Sequence, residues 1–212
     1  MEALVDRLRR LIDDCWDSFS AKVGGELISI NKEASMQLQF AYILKYAVDL
    51  IIHHQDESVE IELETGIPTN GRMRECDIVI YITKGTRKAY LPIEMKCYKE
   101  YAASGGKRGA TDIFFKDVYV DLELLESYAK NENYIQGIQL VMTDFERIPF
   151  PEVRIGKYWD YDISDAKSIT DGIHLTTPIG GKDVDVKLQG SYEFKWITSG
   201  TYYFLKLENK ES

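Results

Sequence analysis

Two nearly unbroken apolar runs, CDIVIYIT (76–83) and AYLPIEMKCY (89–98), flank the polar turn KGTRK. Strands with continuous apolar sequence, rather than alternation, are buried on both faces. A hairpin of this kind needs a layer of structure over each side, which places the chain in the α/β class. Charges sit where a covered strand should have none. Asp77 heads the first run, and Glu94 and Lys96 lie inside the second. Such charges are costly unless they are paired or bind something.

Strand alternation puts Glu94 and Lys96 on one face and Met95 and Cys97 on the other. If the hairpin pairs, Asp77 comes to lie beside Glu94. Two carboxylates that close repel each other unless a cation lies between them. Oxygen donors suit Mg²⁺ or Mn²⁺ rather than zinc. A lysine two residues on can orient or deprotonate a water, or neutralise charge developing on a phosphate. Together these are the parts of metal-assisted phosphodiester hydrolysis. The competing reading is an exposed Glu94–Lys96 salt bridge, worth little. It leaves the apolar character of both strands unexplained.

The surrounding pattern supplies the other elements. Leu4, Leu8, Leu11, Ile12, Cys15 and Phe19 recur at helical spacing, predicting a helix over 2–21 that Gly24-Gly25 stops. Asn31 is placed to cap a second helix reaching His53. There His53 and His54 fit the last turn and its dipole better than a metal. SVEIELET (58–65) alternates as a half-buried strand, and GIPTNGR (66–72) reads as a loop. Pro92 predicts an edge position or a local break in the third strand. SGGKRGA (104–110) reads as a flexible basic loop, followed by a helix capped by Thr111 and a buried strand in YIQGIQLVMTD (134–144). Beyond Pro149 the chain is rich in Tyr, Trp and Gly and ends in the hairpin SYEFKWI–TSG–TYYFLKL. This divides it into a core with an N-terminal helix (1–148) and a β-rich extension packed on that core (149–212). The extension reads as a β lobe or dimer surface ahead of a base-stacking surface.

Net charge is −9, yet residues 70–108 hold nine basic and four acidic side chains, a local +5. The basic charge gathers around the hairpin. Arg72, Arg74, Lys99, Lys107 and Arg108 are the candidate phosphate contacts, with Lys116 reaching in from the following helix. Asp117 and Asp121 on that helix read as solvated charges. Cys15, Cys76 and Cys97 are odd in number and form no CxxC. That indicates small buried hydrophobes in a reducing compartment rather than a disulfide framework or zinc site. No segment has the roughly 18–20 unbroken apolar residues of a membrane span, and the amphipathic start MEALVDRLRR has no signal-peptide core. The expectation is a soluble cytoplasmic protein with no membrane partner.

Asp77 followed by Glu94-Met95-Lys96, in the order helix, three strands, helix, strand, resembles the PD-(D/E)XK nuclease superfamily. The resemblance spans Asn31 to Asp144. It implies the restriction-endonuclease-like fold, with a mixed central sheet, and a metal-dependent nuclease, expected to be a DNA endonuclease. It implies Mg²⁺ (or Mn²⁺) held by Asp77, Glu94 and the backbone carbonyl of Met95. Lys96 would assist the attacking water, and Glu33, on the preceding helix, would complete the site. Two departures stand out. Cys76 replaces the proline, and no QxxxY follows Lys96, which speaks against the exonuclease branch. The alternative is a non-catalytic member of the fold used for nucleic-acid binding or assembly. A third reading, an unrelated α/β interaction protein, would leave Asp77 apart from Glu94 and Lys96. No separate specificity segment is evident, so a homodimer or partner protein is the expected source of specificity if the chain does not recognise its target alone.

Overall fold

The computed structural model describes residues 1–210 apart from residue 103. Helix α1 (Glu2–Gly24) buries one face through Leu4, Leu8, Leu11, Ile12, Cys15 and Phe19, as the periodicity requires. Helix α2 (Glu33–Ala47) runs into a 3-10 turn (Val48–Ile51). Its N-terminus is closed by Ser35 rather than Asn31. Ser35 Oγ accepts the N–H groups of Asn31 and Lys32 at 3.0 and 3.1 Å. His53 and His54 lie beyond the last helical turn, and the His53 N–H donates to Glu57 at 3.0 Å.

Strand β1 (Glu57–Thr69) and β2 (Arg72–Lys84) form a long hairpin. The stretch GIPT is therefore strand, not loop. Asn70 and Gly71, with φ of 49° and 76°, make the two-residue turn. Both residues there need positive φ, which Asn-Gly tolerates best. Strand β3 (Arg87–Tyr98) completes an antiparallel meander, α3 (Thr111–Tyr128) crosses over, and β4 (Ile138–Thr143) returns parallel to β3. Short strands follow: β5 (Ser168–Ile169), β6 (Ile173–Leu175), β7 (Val186–Leu188), β8 (Tyr192–Glu193), β9 (Trp196–Ser199) and β10 (Tyr202–Leu207). The central sheet has the order β1-β2-β3-β4-β10-β9, with two small two-stranded sheets beside it. The segment after 149 thus does more than pack on the core: β10 pairs with β4 and completes the same sheet.

Both faces of that sheet are covered. Helices α1 and α2 pack on Ile78, Ile80, Ile82, Leu91, Ile93 and Met95. Helix α3 and the β5–β8 region pack on Val79, Tyr98, Val141 and Leu205. The expected edge position for Pro92 gives way to a central one, between β2 and β4. Tyr90, of the same parity, directs its backbone toward the β4 side, pairing with Asn133 and Ile135. The missing N–H of Pro92 points the same way, and the β4 ladder starts only opposite Ile93. The proline therefore costs the sheet no ladder bond. Gly137 lies against it, because a Cβ there would sit 2.7 Å from the Pro92 carbonyl oxygen and 2.5 Å from Leu125. Among the described residues no helix is long and apolar enough to cross a membrane.

Candidate active site

The site forms where two strands part. β2 and β3 pair from Lys84↔Arg87 to Ile78↔Ile93 and no further. On the β1 side the ladder skips from Leu63↔Ile78 to Thr65↔Cys76, with Glu64 at φ 53°. The register is the same on both sides of this gap, where Glu64 and Asp77 face each other unpaired, and β2 leaves β3 at the same point. β3 continues beside β4 alone, so the N–H groups of Met95 and Cys97 lose the partner that β2 would have supplied. Buried backbone donors must find acceptors, and two carboxylates serve. Asp77 Oδ2 accepts the Met95 N–H at 2.6 Å, and Glu33 Oε2 accepts the Cys97 N–H at 3.3 Å. Gln37 of α2 fixes the Asp77 backbone through its carbonyl, at 2.6 Å.

On the α3 side of β3, Glu94, Lys96 and Tyr98 form a row, each held by the helix. Tyr128 donates to Glu94 Oε1 at 3.0 Å. Lys96 Nζ lies 3.0 Å from Asp121 Oδ2, 3.6 Å from Glu33 Oε1 and 3.3 Å from the Met95 carbonyl. Tyr98 shares a 3.0 Å hydrogen bond with Thr111 Oγ1, so Thr111 serves the site's edge rather than capping α3. Asp77, Glu94, Lys96 and Glu33 thus meet in one place, although they come from three different elements.

Asp121 belongs to the same cluster, contrary to its reading as a solvated charge. It is 6% exposed and also accepts from Gln139 Nε2 at 3.3 Å. The signal lay in the helix phase. Phe114, Val118, Asp121, Leu125 and Tyr128 occupy one stripe at spacings of three and four, and that stripe faces the sheet. Asp117, by contrast, pairs with Lys116.

Four carboxyl groups therefore surround one ammonium. Burial raises the pKa of Asp77 and Glu33, and raises Glu94 well above the usual carboxylate range, reinforced there by Asp121 and Asp77. Burial also pushes Asp121 up to about 7, against the pull of Lys96. For Lys96, burial works against the charged form, but Asp121, Glu33 and Asp77 outweigh it and hold its pKa up. Lys96 is an ammonium at neutral pH. The cluster has more anionic capacity than one lysine can balance, so protons or another cation must make up the difference.

Among the described residues, no three Asp, Glu, His or Cys side chains stand ready as a metal cage. Mg²⁺ does not need one. It is commonly held by one or two carboxylates with water filling the remaining positions. Asp77 and Glu94 supply such oxygens, unbalanced in charge and desolvated, and so fit a hard divalent cation. The Met95 carbonyl faces the same gap but accepts from Lys96. Glu33, at the open end, is engaged by Lys96 and Cys97.

The basic residues are placed unevenly. Arg72 and Arg74 are exposed near the end of the β1–β2 hairpin, on the strand that carries Asp77. Lys99 pairs with Asp144 at 2.8 Å and lies over the Tyr202 ring. Lys107 is exposed, 3.1 Å from Glu100. Arg108 donates to the Asn31 carbonyl at 3.3 Å, which brings its loop to the start of α2 beside Glu33. Lys116 is not brought to the site. It lines a separate cavity with Val120, Glu123 and Asp185. Cys15 and Cys76 are buried, Cys97 is partly so, and all three are free.

Comparison with protein-family models, curated proteins and solved structures returns no match for this chain.

Proposed function

We propose that this chain is a divalent-metal-dependent nuclease of the PD-(D/E)XK type, cleaving phosphodiester bonds in DNA, on a restriction-endonuclease-like core. One observation carries the reading. Asp77 from β2 and the Glu94-Met95-Lys96 segment of β3 come together where the strands separate, with the Asp77 carboxylate 2.6 Å from the Met95 N–H. An unrelated interaction protein has no reason to assemble that set. The order of α2, the β1–β2–β3 meander, the α3 crossover and parallel β4 supports the fold assignment.

Asp77 and Glu94 would hold the metal through oxygen, with Glu33 at the more exposed end of the cluster. A bound Mg²⁺ or Mn²⁺ supplies Lewis-acid polarisation of a phosphoryl oxygen and a lowered pKa for a coordinated water. The carboxylates of Asp121, Glu33 and Asp77 favour the ammonium form of Lys96. Its ammonium donates to the attacking water or balances charge on the phosphorus as the bond forms. Asp121 and the Met95 carbonyl aim it. The exposed Arg72, Arg74 and Lys107, with Arg108, bind the phosphate backbone.

A second reading draws on the same contacts. Asp77 and Glu33 cap orphaned strand N–H groups, and Lys96 closes an ion-pair network. Those duties alone would suit a non-catalytic member of the fold. Incubating the protein with supercoiled plasmid and linear DNA, with Mg²⁺ or Mn²⁺ and a chelator control, separates the two. Nicking or linearisation that requires metal and disappears in Asp77→Asn and Glu94→Gln supports the nuclease. Folded protein that leaves the plasmid and linear DNA intact with either metal supports the non-catalytic reading.

A further inference from the structure

A cavity of about 230 Å³ opens at the N-terminal end of α3, beyond the Glu94–Lys96–Tyr98 row. Its walls include Phe115 of α3, Phe145 after β4, and Tyr158 and Trp159 of the 3-10 turn at 157–161. Thr111, whose hydroxyl meets Tyr98, lies at its edge. Through Thr111 and Phe145, both of which touch Tyr98, the cavity adjoins the row at the residue next to Lys96 on that strand face.

We propose that this cavity receives a single unpaired nucleobase of the strand whose phosphate lies at Lys96. The inference rests on the nuclease reading for its orientation, and on three features for its ligand. The first is the walls. Phe115 and Trp159 meet edge to face at 5.2 Å and Tyr158 tilts against Trp159 at 5.3 Å, giving a rigid aromatic lining on which a flat ring can stack. The second is an orphan donor. Trp159 Nε1 is buried with no hydrogen-bond partner among the described residues. Folded proteins rarely leave a buried donor unpaired, and ring nitrogens and carbonyl oxygens at a base edge are acceptors. Glu152, also on the wall, is the complementary acceptor for an exocyclic amino group. The third is the charge at the rim. Arg147 lines the opening, and Lys107 lies 5.6 Å over the Phe145 ring. Both can meet the phosphates on either side of an inserted base.

A base reaches such a cavity only out of the stack. The preferred substrate is therefore single-stranded, or carries an unpaired or readily flipped nucleotide. This also gives a role to the aromatic residues after Pro149, two of which line the cavity rather than a lobe surface.

The test uses wild-type protein in chelator, so that binding is read without cleavage. An eight-nucleotide single strand carrying one 2-aminopurine, the matching blunt duplex, and deoxyadenosine 5′-monophosphate are titrated against it. The single strand binds about tenfold or more tightly than the duplex, the scale of one base–aromatic stack. The 2-aminopurine emission is quenched, and the mononucleotide competes for it. Trp159→Phe keeps a ring in the wall and removes only the N–H. It weakens single-strand binding about fivefold, within the range for a lost hydrogen bond to a buried group, and leaves duplex binding unchanged. Tyr158→Ala does the same by removing a stacking surface. Equal affinity for single strand and duplex, or unchanged binding in both variants, overturns the proposal. Metal-dependent cleavage of the single strand and of plasmid is scored separately. Cleavage without single-strand preference removes the base cavity and keeps the nuclease, whereas base binding without cleavage does the reverse.

Discussion

Replacing Asp121 with asparagine should separate stability from activity. Asp121 is buried and 3.0 Å from Lys96, which looks like a stabilising ion pair. The balance runs the other way, because burial raises its pKa to about 7 from an ordinary 3.8 despite the lysine. The folded protein then holds a proton on Asp121 that the unfolded chain has released. Stability from this group is fully present below about pH 4 and is lost as pH rises through about 7. At about 1.36 kcal/mol per pH unit of displacement, the loss has an upper limit of about 4 kcal/mol. Asparagine keeps the shape, offers the Gln139 amide an acceptor, and has no proton to lose. In chelator, urea melts of the two proteins should therefore nearly coincide below about pH 4 and differ by at most about 1–2 kcal/mol at pH 5. At pH 8 the variant should be the more stable by about 1–4 kcal/mol. Cleavage should move in the opposite direction and fall, because Lys96 loses its charged partner at 3.0 Å and keeps only the Met95 carbonyl at 3.3 Å and half-exposed Glu33 at 3.6 Å. A variant that is less stable than wild type at pH 8, by more than at pH 5, would refute this reasoning and make the pair a net structural contact.

Three further outcomes follow from the same structure. Mg²⁺ should raise the melting temperature, and by more at pH 8 than at pH 5, because the raised carboxyls of Asp77 and Glu94 surrender their protons at high pH and leave charge for the ion to balance; a scanning fluorimetry shift that is the same at both pH values, or that survives in Asp77→Asn, would contradict this. Gly137→Ala should destabilise by about 1–3 kcal/mol or more through overpacking, since its Cβ meets the Pro92 carbonyl at 2.7 Å, and denaturant melts check it. Replacing exposed Lys107 together with Arg108 by alanine should weaken DNA binding and reduce the salt dependence by about one to two contacts' worth of counterion release, whereas Lys116→Ala, at a cavity away from the site, should leave both unchanged.

What could be read from the sequence was set by periodicity. The doubly covered hairpin, the three helices and the order helix, three strands, helix, strand are all visible as runs and spacings. The meeting of Asp77 with Glu94 and Lys96 follows from strand parity and a hairpin register. What could not be read depends on partners distant in sequence. Pro92 looks like an edge residue because nothing local reveals that the β4 ladder starts one position later. GIPT looks like a loop because its pairing with Arg72 to Glu75 is made across the Asn70–Gly71 turn. The terminal hairpin looks like an appendage because its place beside β4 is a contact across some sixty residues. Asp121 was hidden differently. A charged residue on a helix is usually solvated, and only the phase of Phe114, Val118, Leu125 and Tyr128 shows that this one faces the sheet.

The most direct test of the central claim is the cleavage rate of Lys96→Ala, measured on plasmid at saturating Mg²⁺ or Mn²⁺, with melting temperature and calorimetric metal binding recorded on the same sample. The variant should fold, because Asp121 can keep its proton once the ammonium is gone. It should bind metal through Asp77 and Glu94. Its cleavage rate should fall on the order of 10²-fold or more, the scale for losing a positioned proton donor or electrostatic stabiliser. Unchanged cleavage by folded, metal-loaded Lys96→Ala would contradict the account.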